Sequence, residues 1–341
     1  MSHIAYCLSS NKWGGGELHV TQLLNHFKGS LRVSLIVPEN SPGYEFAKDN
    51  SLEVVPFDFD RNPLQKLPEF LSVIRRLNPD ILHAHLNKAA WYGSLSRPFH
   101  NKKVLATIHG YTTPLYYLGV HKAICVSHDL KNFQPSLIRR KSSVVYNGIS
   151  GSQSRKREPR KASVFATIHP NKGQEFIADS LISHQPDLKI PLFFKGVGSN
   201  RHEQSLKEKL AKLSDSDIQW EKIVGDLEND WAQTAFTIVP SYKEALSYVA
   251  IESLNRGIPV LASKTGGLAE VLREGIDGLY FQPGDAKDFC GKLLEMEIRH
   301  KEFSKALLHK PFLQDRPEFK LENMLVSTES VYRELLGNAS S

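Results

Sequence analysis

The sequence predicts an α/β protein made of two parallel-sheet halves, and three observations predict it. Short aliphatic runs alternate with helix-length amphipathic segments along nearly the whole chain, the pattern of parallel strands with helices on their faces. The alternation breaks once, from Gly148 to Lys161, where Ser, Gly, Arg, Lys and Pro replace apolar residues. Several runs end in glycine-bearing or acidic turns that lead straight into a helix, which is where an open parallel sheet forms a ligand crevice.

The first half opens with a buried strand pattern, His3–Leu8, then the loop Ser9–Gly16 and a helix from Glu17 to Phe27 with Leu18, Leu23, Leu24 and Phe27 on one side. Leu31–Val37 is the next strand, stopped by Pro38. Pro63–Leu77 reads as a helix; Asp80–His85, Val104–His109, Ala123–Val126 and Ser143–Tyr146 read as strands. After the polar joint come strand Ala162–Ala166, helix Gln174–Ser183, strand Leu192–Phe194, helix Glu203–Leu213 and strand Phe236–Val239, which ends at Pro240. A helix starts near Ser247 and stops at Gly257-Ile258-Pro259; a short strand, Val260–Ala262, then runs into Gly266-Gly267. The last periodic segment, Lys320–Leu336, carries Leu321, Met324, Leu325, Tyr332 and Leu335 as a stripe to bury. The expected domains are 1–149 and 162–319, joined by a linker at 150–161, with a closing helix within 320–341.

Length and composition agree with this: 341 residues suffice for two domains, and 23% charged with 40% hydrophobic residues is globular usage. No apolar run approaches the roughly 20 residues of a membrane span. The chain begins directly in a strand pattern without the basic region and apolar core of a signal peptide, so a cytoplasmic address is expected. Cys7, Cys125 and Cys290 are odd in number and widely spaced. Cys7 and Cys125 sit in apolar runs as inert thiols, and no zinc-type spacing occurs. The net charge of +6 draws on Arg139-Arg140-Lys141, Arg155-Lys156-Arg157 and Arg160-Lys161. Such a surplus suits an anionic partner, whether nucleic acid, an acidic bilayer face or a phosphorylated glycolipid; an ordinary solvated charged stretch accounts for it equally well.

The most informative stretch is Ser241–Glu252, with Glu244 on a loop and Glu252 in the helix that follows, seven residues lying between them. Backbone N–H groups at a helix start attract phosphate oxygens. A carboxylate one turn further on can accept hydrogen bonds from vicinal hydroxyls such as those of a ribose. The plain alternative is a solvated helix face. Elsewhere, Gly14-Gly15-Gly16 opens a helix after the first strand and lets backbone approach an anion. A dinucleotide site would place Glu39 on a ribose, but the glycine spacing is wrong for it. His109 lies at a strand's carboxyl end and is read as either a structural or a site residue. His83 and His85 flank Ala84 and are placed on opposite faces, with His85 the better site candidate. Asn147-Gly148 makes a tight turn into the joint. Lys172 lies on the turn before a helix, where an ammonium can rest against a diphosphate. Asp58-Phe59-Asp60 superficially matches a manganese-binding Asp-x-Asp and is read as a solvated turn, so no metal is expected.

From Val239 to Gly278 the chain resembles the retaining glycosyltransferases of family 4, nucleotide-sugar enzymes with the GT-B fold. The resemblance is carried by the two glutamates, the Gly257-Ile-Pro-Val260 stop and Gly266-Gly267-Leu-Ala-Glu270 in that order. It implies two Rossmann-like domains whose parallel sheets face each other across a cleft, and a terminal helix that returns to the first domain. It also implies Glu244 on the donor sugar, Glu252 on the ribose and Ala245-Leu246-Ser247 along the diphosphate, although many members have Phe-Gly where Ala245-Leu246 stand. Gly15 and Gly16 would flank donor phosphates and acceptor, His109 would touch the sugar, and Asn147 matches the family's Asn-Gly. The family's Gly-Arg before the lysine is replaced by Ala166-Thr167, so Lys172 remains without its arginine partner, and Lys195 is the expected substitute.

The function implied is metal-independent, retaining transfer of a hexose from a nucleotide sugar, UDP-linked by preference, to a glycan or lipid-linked acceptor. A role in bacterial surface polysaccharide or lipopolysaccharide assembly would follow, with peripheral contact with an anionic membrane, no cofactor and no nucleic-acid partner. The alternatives are a nucleotide-sugar epimerase or phosphorylase on a similar scaffold, or a non-catalytic nucleotide-sugar binding module.

Overall fold

The computed structural model describes residues 1–151, 157–213, 218–223 and 225–337. Arg155 and Lys156 of the basic joint, and residues 338–341 of the closing segment, lie outside the described residues. The chain divides into two compact units, Met1–Gly148 together with the segment from Leu321, and Ile149–Lys320.

The first unit holds strands β1 (His3–Leu8), β2 (Arg32–Val37), β3 (Glu53–Pro56), β4 (Ile81–His85), β5 (Lys103–Ile108), β6 (Lys122–Cys125) and β7 (Ser142–Val144). They form one parallel sheet in the order β3-β2-β1-β4-β5-β6-β7. Its helices are α1 (Gly15–Phe27), α2 (Pro42–Asp49), α3 (Pro63–Leu77), α4 (Asn87–Ser96), α5 (His128–Phe133) and α6 (Ser136–Arg139). Local chemistry sets their bounds. Ser41 and Asn62 accept the first free N–H groups of α2 and α3, each followed by a proline at the first helical position, and Asn78 ends α3 in the left-handed region at φ 48°. Ile4, Tyr6 and Leu8 of β1 pack with Leu23, Leu24 and Phe27 of α1.

The second unit holds β8 (Lys161–Phe165), β9 (Leu192–Lys195), β10 (Ile218–Glu221), β11 (Thr234–Val239), β12 (Val260–Ser263) and β13 (Gly278–Phe281), also all parallel, in the order β10-β9-β8-β11-β12-β13. Its helices are α7 (Gln174–His184), α8 (Asn200–Leu210), α9 (Glu228–Gln233), α10 (Tyr248–Asn255), α11 (Ala286–His309) and α12 (Phe312–Asp315). Phe236, Phe281, Phe289 and Leu293 lie in its core.

Helix α13 (Leu321–Leu336) belongs to the first unit, where Met324, Leu325, Val331 and Tyr332 join the β1–α1 core. The Tyr332 hydroxyl donates to that of Tyr6 at 3.0 Å and is hydrogen-bonded to His83 Nδ1 at 2.8 Å.

Both sheets reverse strand order beside their first strand, between β1 and β4 in one and between β8 and β11 in the other. In open parallel sheets this reversal leaves a crevice beyond the strands' carboxyl ends. β3, β10 and β13 carry no reading in the sequence account; β3 and β10 are short sheet-edge strands with partly exposed side chains, so their apolar alternation is weak, and β13 is a buried run of only four residues.

Candidate functional site

At the reversal in the second unit, loops 166–173, 240–247 and 264–270 leave the adjacent strands β8, β11 and β12. They are sewn together by main chain. Tyr242 donates its N–H to the Asn171 carbonyl at 2.9 Å, the Asn171 amide donates to the Lys243 carbonyl at 2.8 Å, and Gly267 donates to the Glu244 carbonyl at 2.9 Å. Gly173 has no substitute in this arrangement. It sits at φ 72°, and a Cβ there would lie 2.1 Å from the Pro240 carbonyl oxygen.

This stitching brings Lys172 and Glu244 together, Nζ to Oε2 at 2.7 Å, and the Ser241 hydroxyl donates to the same oxygen at 2.9 Å. The Lys172 side chain stays one-third exposed, with the carboxylate largely covered at 12%. Helix α10 begins where the sequence places it, because Ser247 is its N-cap and accepts the Ala250 N–H at 3.2 Å. Ala245 and Leu246 are buried, so what this loop offers an anion is main chain together with the Ser247 hydroxyl proton.

Glu252 is the fifth residue of α10 and only partly exposed. Its carboxylate accepts no hydrogen bond among the described residues. Burial pushes its pKa up, the Arg256 guanidinium opposes that rise and the Glu228 carboxylate reinforces it. Arg256 is itself committed to Glu228, at 2.7 Å. A covered carboxylate lacking donors is costly unless a ligand supplies them.

Lys195 departs from the expectation. Its ammonium lies 2.7 Å from Asp230 and 3.6 Å from Glu221. Asp230 also takes Lys161 at 3.1 Å, and both lysines lie over the Phe193 ring. Burial works against the Lys195 charge, but the Asp230 hydrogen bond and charge, with Glu221 adding, raise its pKa. The lysine expected to replace the missing arginine is thus neutralised on the face of its own sheet, and no diphosphate role is assigned to it.

In the first unit the Gly15–Gly16 turn opens α1, His85 ends β4 and His109 follows β5. A Cβ on Gly16 would lie 3.1 Å from the Leu86 side chain, and Leu86, a bulky residue, is held in the left-handed region at φ 68°. Such strain collects at ligand-binding turns. The placement of His83 and His85 on opposite faces is corrected: a strand repeats every two residues, so both lie on one face, with ring centroids 4.1 Å apart. His83 is satisfied by Thr107 and Tyr332, each at 2.8 Å, and is structural. His85 Nδ1 meets His109 Nε2 at 3.1 Å.

His19, which sequence reasoning passed over, completes the group. Its ring lies edge-on to His109 with centroids 5.0 Å apart, and its Nδ1 is hydrogen-bonded to Asn147 Oδ1 at 3.1 Å. The Asn147 side chain therefore orients a histidine, in addition to its place before the joint. The available signal was a histidine one residue before Val20 on the inward side of an otherwise apolar helix. Burial keeps these imidazoles neutral, lowering His19 to about 4 and His83, His85 and His109 well below their usual value. The Nε2 atoms of His19 and His85 are buried without a hydrogen-bond partner among the described residues. One nitrogen from each of His19, His85 and His109 lies within 4.8 Å of the others, a set able to hold a metal ion as well as to bond hydroxyls.

The Asp58–Asp60 turn is tied up internally. Asp58 accepts the Asp60 N–H at 2.8 Å and pairs with Arg61 at 3.2 Å, while Asp60 pairs with Lys88. Beside it a hollow of about 440 Å³ is lined by Asn11, Glu39, Phe57, Asp58 and Glu69. The three cysteines are free and buried, and burial raises Cys125 and Cys290 to about 11. No helix among the described residues is long and apolar enough to cross a membrane.

Two parallel-sheet units with carboxylates and a lysine at one reversal and glycines and histidines at the other are what the glycosyltransferase resemblance implies. Family comparison gives the class itself. Residues 13–152 match the family described as Glycosyltransferase Family 4, and residues 160–297 match Glycosyl transferases group 1. The chain belongs to this glycosyltransferase family, and its fold is GT-B.

Among curated relatives, an uncharacterised glycosyltransferase of Methanocaldococcus jannaschii is 26% identical over 219 residues, 63% of this chain and 60% of the relative. The sulfoquinovosyl transferase SQD2 of Arabidopsis thaliana is 24% identical over 263 residues, 66% of this chain and 51% of the relative. The chain thus aligns with between half and two-thirds of the length of these relatives. Among solved structures, Anabaena HepE in complex with UDP-glucose superposes with a TM-score of 0.85 at 15% identity, covering 98% of this chain and 100% of that one. A glycosyltransferase from Rickettsia africae superposes with a TM-score of 0.83 at 19% identity, covering 99% of each chain.

Proposed function

We propose that the protein transfers a hexose from a UDP-linked donor to a glycan or lipid-linked acceptor with retention at the anomeric carbon. The observation that carries the donor half is Glu252, a covered carboxylate with no hydrogen-bond donor among the described residues, one helix turn beyond a capped loop that also holds the Lys172–Glu244 pair. A ribose diol supplies two donors to Glu252. Lys172, with main-chain N–H groups, stabilises the diphosphate as it leaves, and Glu244 takes sugar hydroxyls. The bond from the anomeric carbon to the β-phosphate oxygen breaks, and the acceptor oxygen bonds that carbon on the same face. The acceptor proton passes to the departing phosphate, leaving UDP and the new glycoside. No residue is required as a covalent nucleophile, and no metal has a step in this scheme. In the first unit, the Gly15–Gly16 turn and the neutral His109 serve ligand hydroxyls and acceptor. Support for the donor comes from HepE, whose structures hold UDP and UDP-glucose. An assembly role on a bacterial surface glycan fits these acceptors.

The discriminating experiment is a thermal-shift panel of nucleotide sugars followed by UDP release with glycan and glycolipid acceptors. Stabilisation by UDP-hexoses with acceptor-dependent UDP release is expected. Stabilisation without release under any acceptor would make the protein a binding module, the alternative that the missing arginine and the engaged Lys195 favour. Conversion of the nucleotide sugar without an acceptor would make it an epimerase or phosphorylase.

A further inference from the structure

We propose that the face of the first unit formed by the segments entering β5, β6 and β7 docks on an anionic lipid bilayer. This goes beyond the transfer reaction and does not depend on it.

Charge is segregated along this part of the chain: residues 97–149 carry eight Lys and Arg against a single carboxylate, Asp129. The fold turns most of that stretch into a surface, although Lys122 is paired with Glu334 of α13 and Lys131 lies on α5, beyond the carboxyl end of β6. β5, β6 and β7 are neighbouring parallel strands, so the turns that feed them emerge side by side at one edge of the sheet. Hydrogen bonds fix the neighbours. Arg97 donates to the Gly119 carbonyl at 3.3 Å, and Lys141 donates to the Leu118 and Val120 carbonyls at 2.8 and 2.7 Å. The turn at 97–103, the turn at 118–121 and the α6–β7 turn at 139–141 therefore form one continuous patch. Arg139 and Arg140 project from it exposed, and the Lys141 carbonyl contacts behind them keep the turn in place.

Large apolar side chains stand among these cations. Phe99 is 60% exposed, Leu118 43% and Leu137 64%. A solvated charged face has no use for such residues, and a nucleic-acid backbone gains little from them. A bilayer takes both: the cations meet anionic head groups while the apolar tips enter the interface. Gly15, His85 and His109 lie at the carboxyl ends of their strands, the opposite edge of the same sheet, so docking leaves these residues uncovered.

The test is co-sedimentation of the full chain with vesicles of phosphatidylcholine alone and with 30% phosphatidylglycerol, at low and high salt. Binding to the anionic vesicles that weakens with salt is expected, and a loss of at least about thirtyfold in Arg139→Glu/Arg140→Glu, from two charge reversals in a surface potential. Phe99→Ser/Leu137→Ser is expected to lose several-fold at high salt, where the apolar contribution dominates. Lys301→Glu/Lys305→Glu, exposed on α11 in the second unit, serves as a control for net charge and is expected to bind nearly as wild type. All variants are checked for unchanged melting and UDP binding, which separates a failure of docking from a failure of the transferase reading. Absence of binding to the anionic vesicles would overturn the proposal, as would equal losses in the control. Binding to single-stranded RNA that exceeds vesicle binding and survives Phe99→Ser/Leu137→Ser would reassign the face to nucleic acid.

Discussion

Replacing Glu252 tests the donor site where it is most exposed to failure. In Glu252→Ala the nucleotide loses the two hydrogen bonds that a ribose diol makes to the carboxylate. Charge-assisted hydrogen bonds contribute about 1.5–3 kcal/mol each, but part of that offsets the donors' lost water. A net loss of about 2–4 kcal/mol follows, roughly thirty- to several-hundred-fold in Kd for UDP. The pH dependence has a definite sign. Burial raises the Glu252 pKa in the unliganded protein, and a diol donates to the ionised form. UDP affinity should therefore be level at high pH and fall as pH drops through the raised pKa, with the proton released on binding. Glu252→Gln should abolish that fall. The same shift fixes a stability consequence: an acid whose pKa is higher folded than unfolded binds more protons in the folded state, so it costs stability as pH rises. Glu252→Gln should thus melt higher than wild type at neutral pH while binding UDP more weakly. Calorimetric titration with UDP from pH 5 to 8, with melting curves alongside, measures both. A Kd within threefold of wild type in Glu252→Ala would refute the placement of the ribose.

Two further outcomes separate site from scaffold. Lys172→Ala should lower kcat roughly 100-fold, the scale for removing one group that stabilises developing charge. Lys195→Ala should instead leave kcat near wild type and lower the melting temperature by a few degrees, from about 1–2 kcal/mol lost when Asp230 keeps only Lys161; steady-state kinetics and melting on both variants decide it. Activity in excess chelator should stay within twofold of the untreated enzyme. A collapse that zinc restores would make His19, His85 and His109 a metal centre.

The strand and helix alternation was legible because parallel strands buried on both faces are written as local apolar runs. The bounds of α10 were legible too, since a serine cap opens it and a glycine and a proline close it within thirteen residues. What escaped in the sites was mostly non-local. Lys195 looked available because its partner Asp230 lies 35 residues away on a short helix that has no apolar period of its own. The sequence shows a lysine beside a glycine turn; only the fold shows that the strand's face, not its end, receives the ammonium. His19 was missed for the same reason: its partner Asn147 is 128 residues distant. His83 and His85 were misplaced for a different reason, a period applied wrongly, and the rings at 4.1 Å correct it.

Glu244 and Glu252 flank one loop yet differ in a way that determines their roles. Glu244 already holds Lys172 and Ser241, whereas the Glu252 carboxylate accepts no hydrogen bond among the described residues. On the proposed function, an arriving diphosphate competes with Glu244 for Lys172, and the carboxylate it displaces turns to the sugar hydroxyls. Binding of the nucleotide and positioning of the hexose are then coupled through one ammonium. Glu244→Gln should release Lys172 from its pair, so UDP should bind as well as wild type or up to about fivefold tighter, the scale of a part-exposed ion pair. Turnover should nevertheless drop, because a neutral amide accepts sugar hydroxyls less well than a carboxylate. Titration of Glu244→Gln with UDP alone, set against its kcat with donor and acceptor, resolves the two effects. Weakening of UDP to the level of Lys172→Ala would show that the pair acts as a unit in holding nucleotide, and the exchange of partners would have to be abandoned.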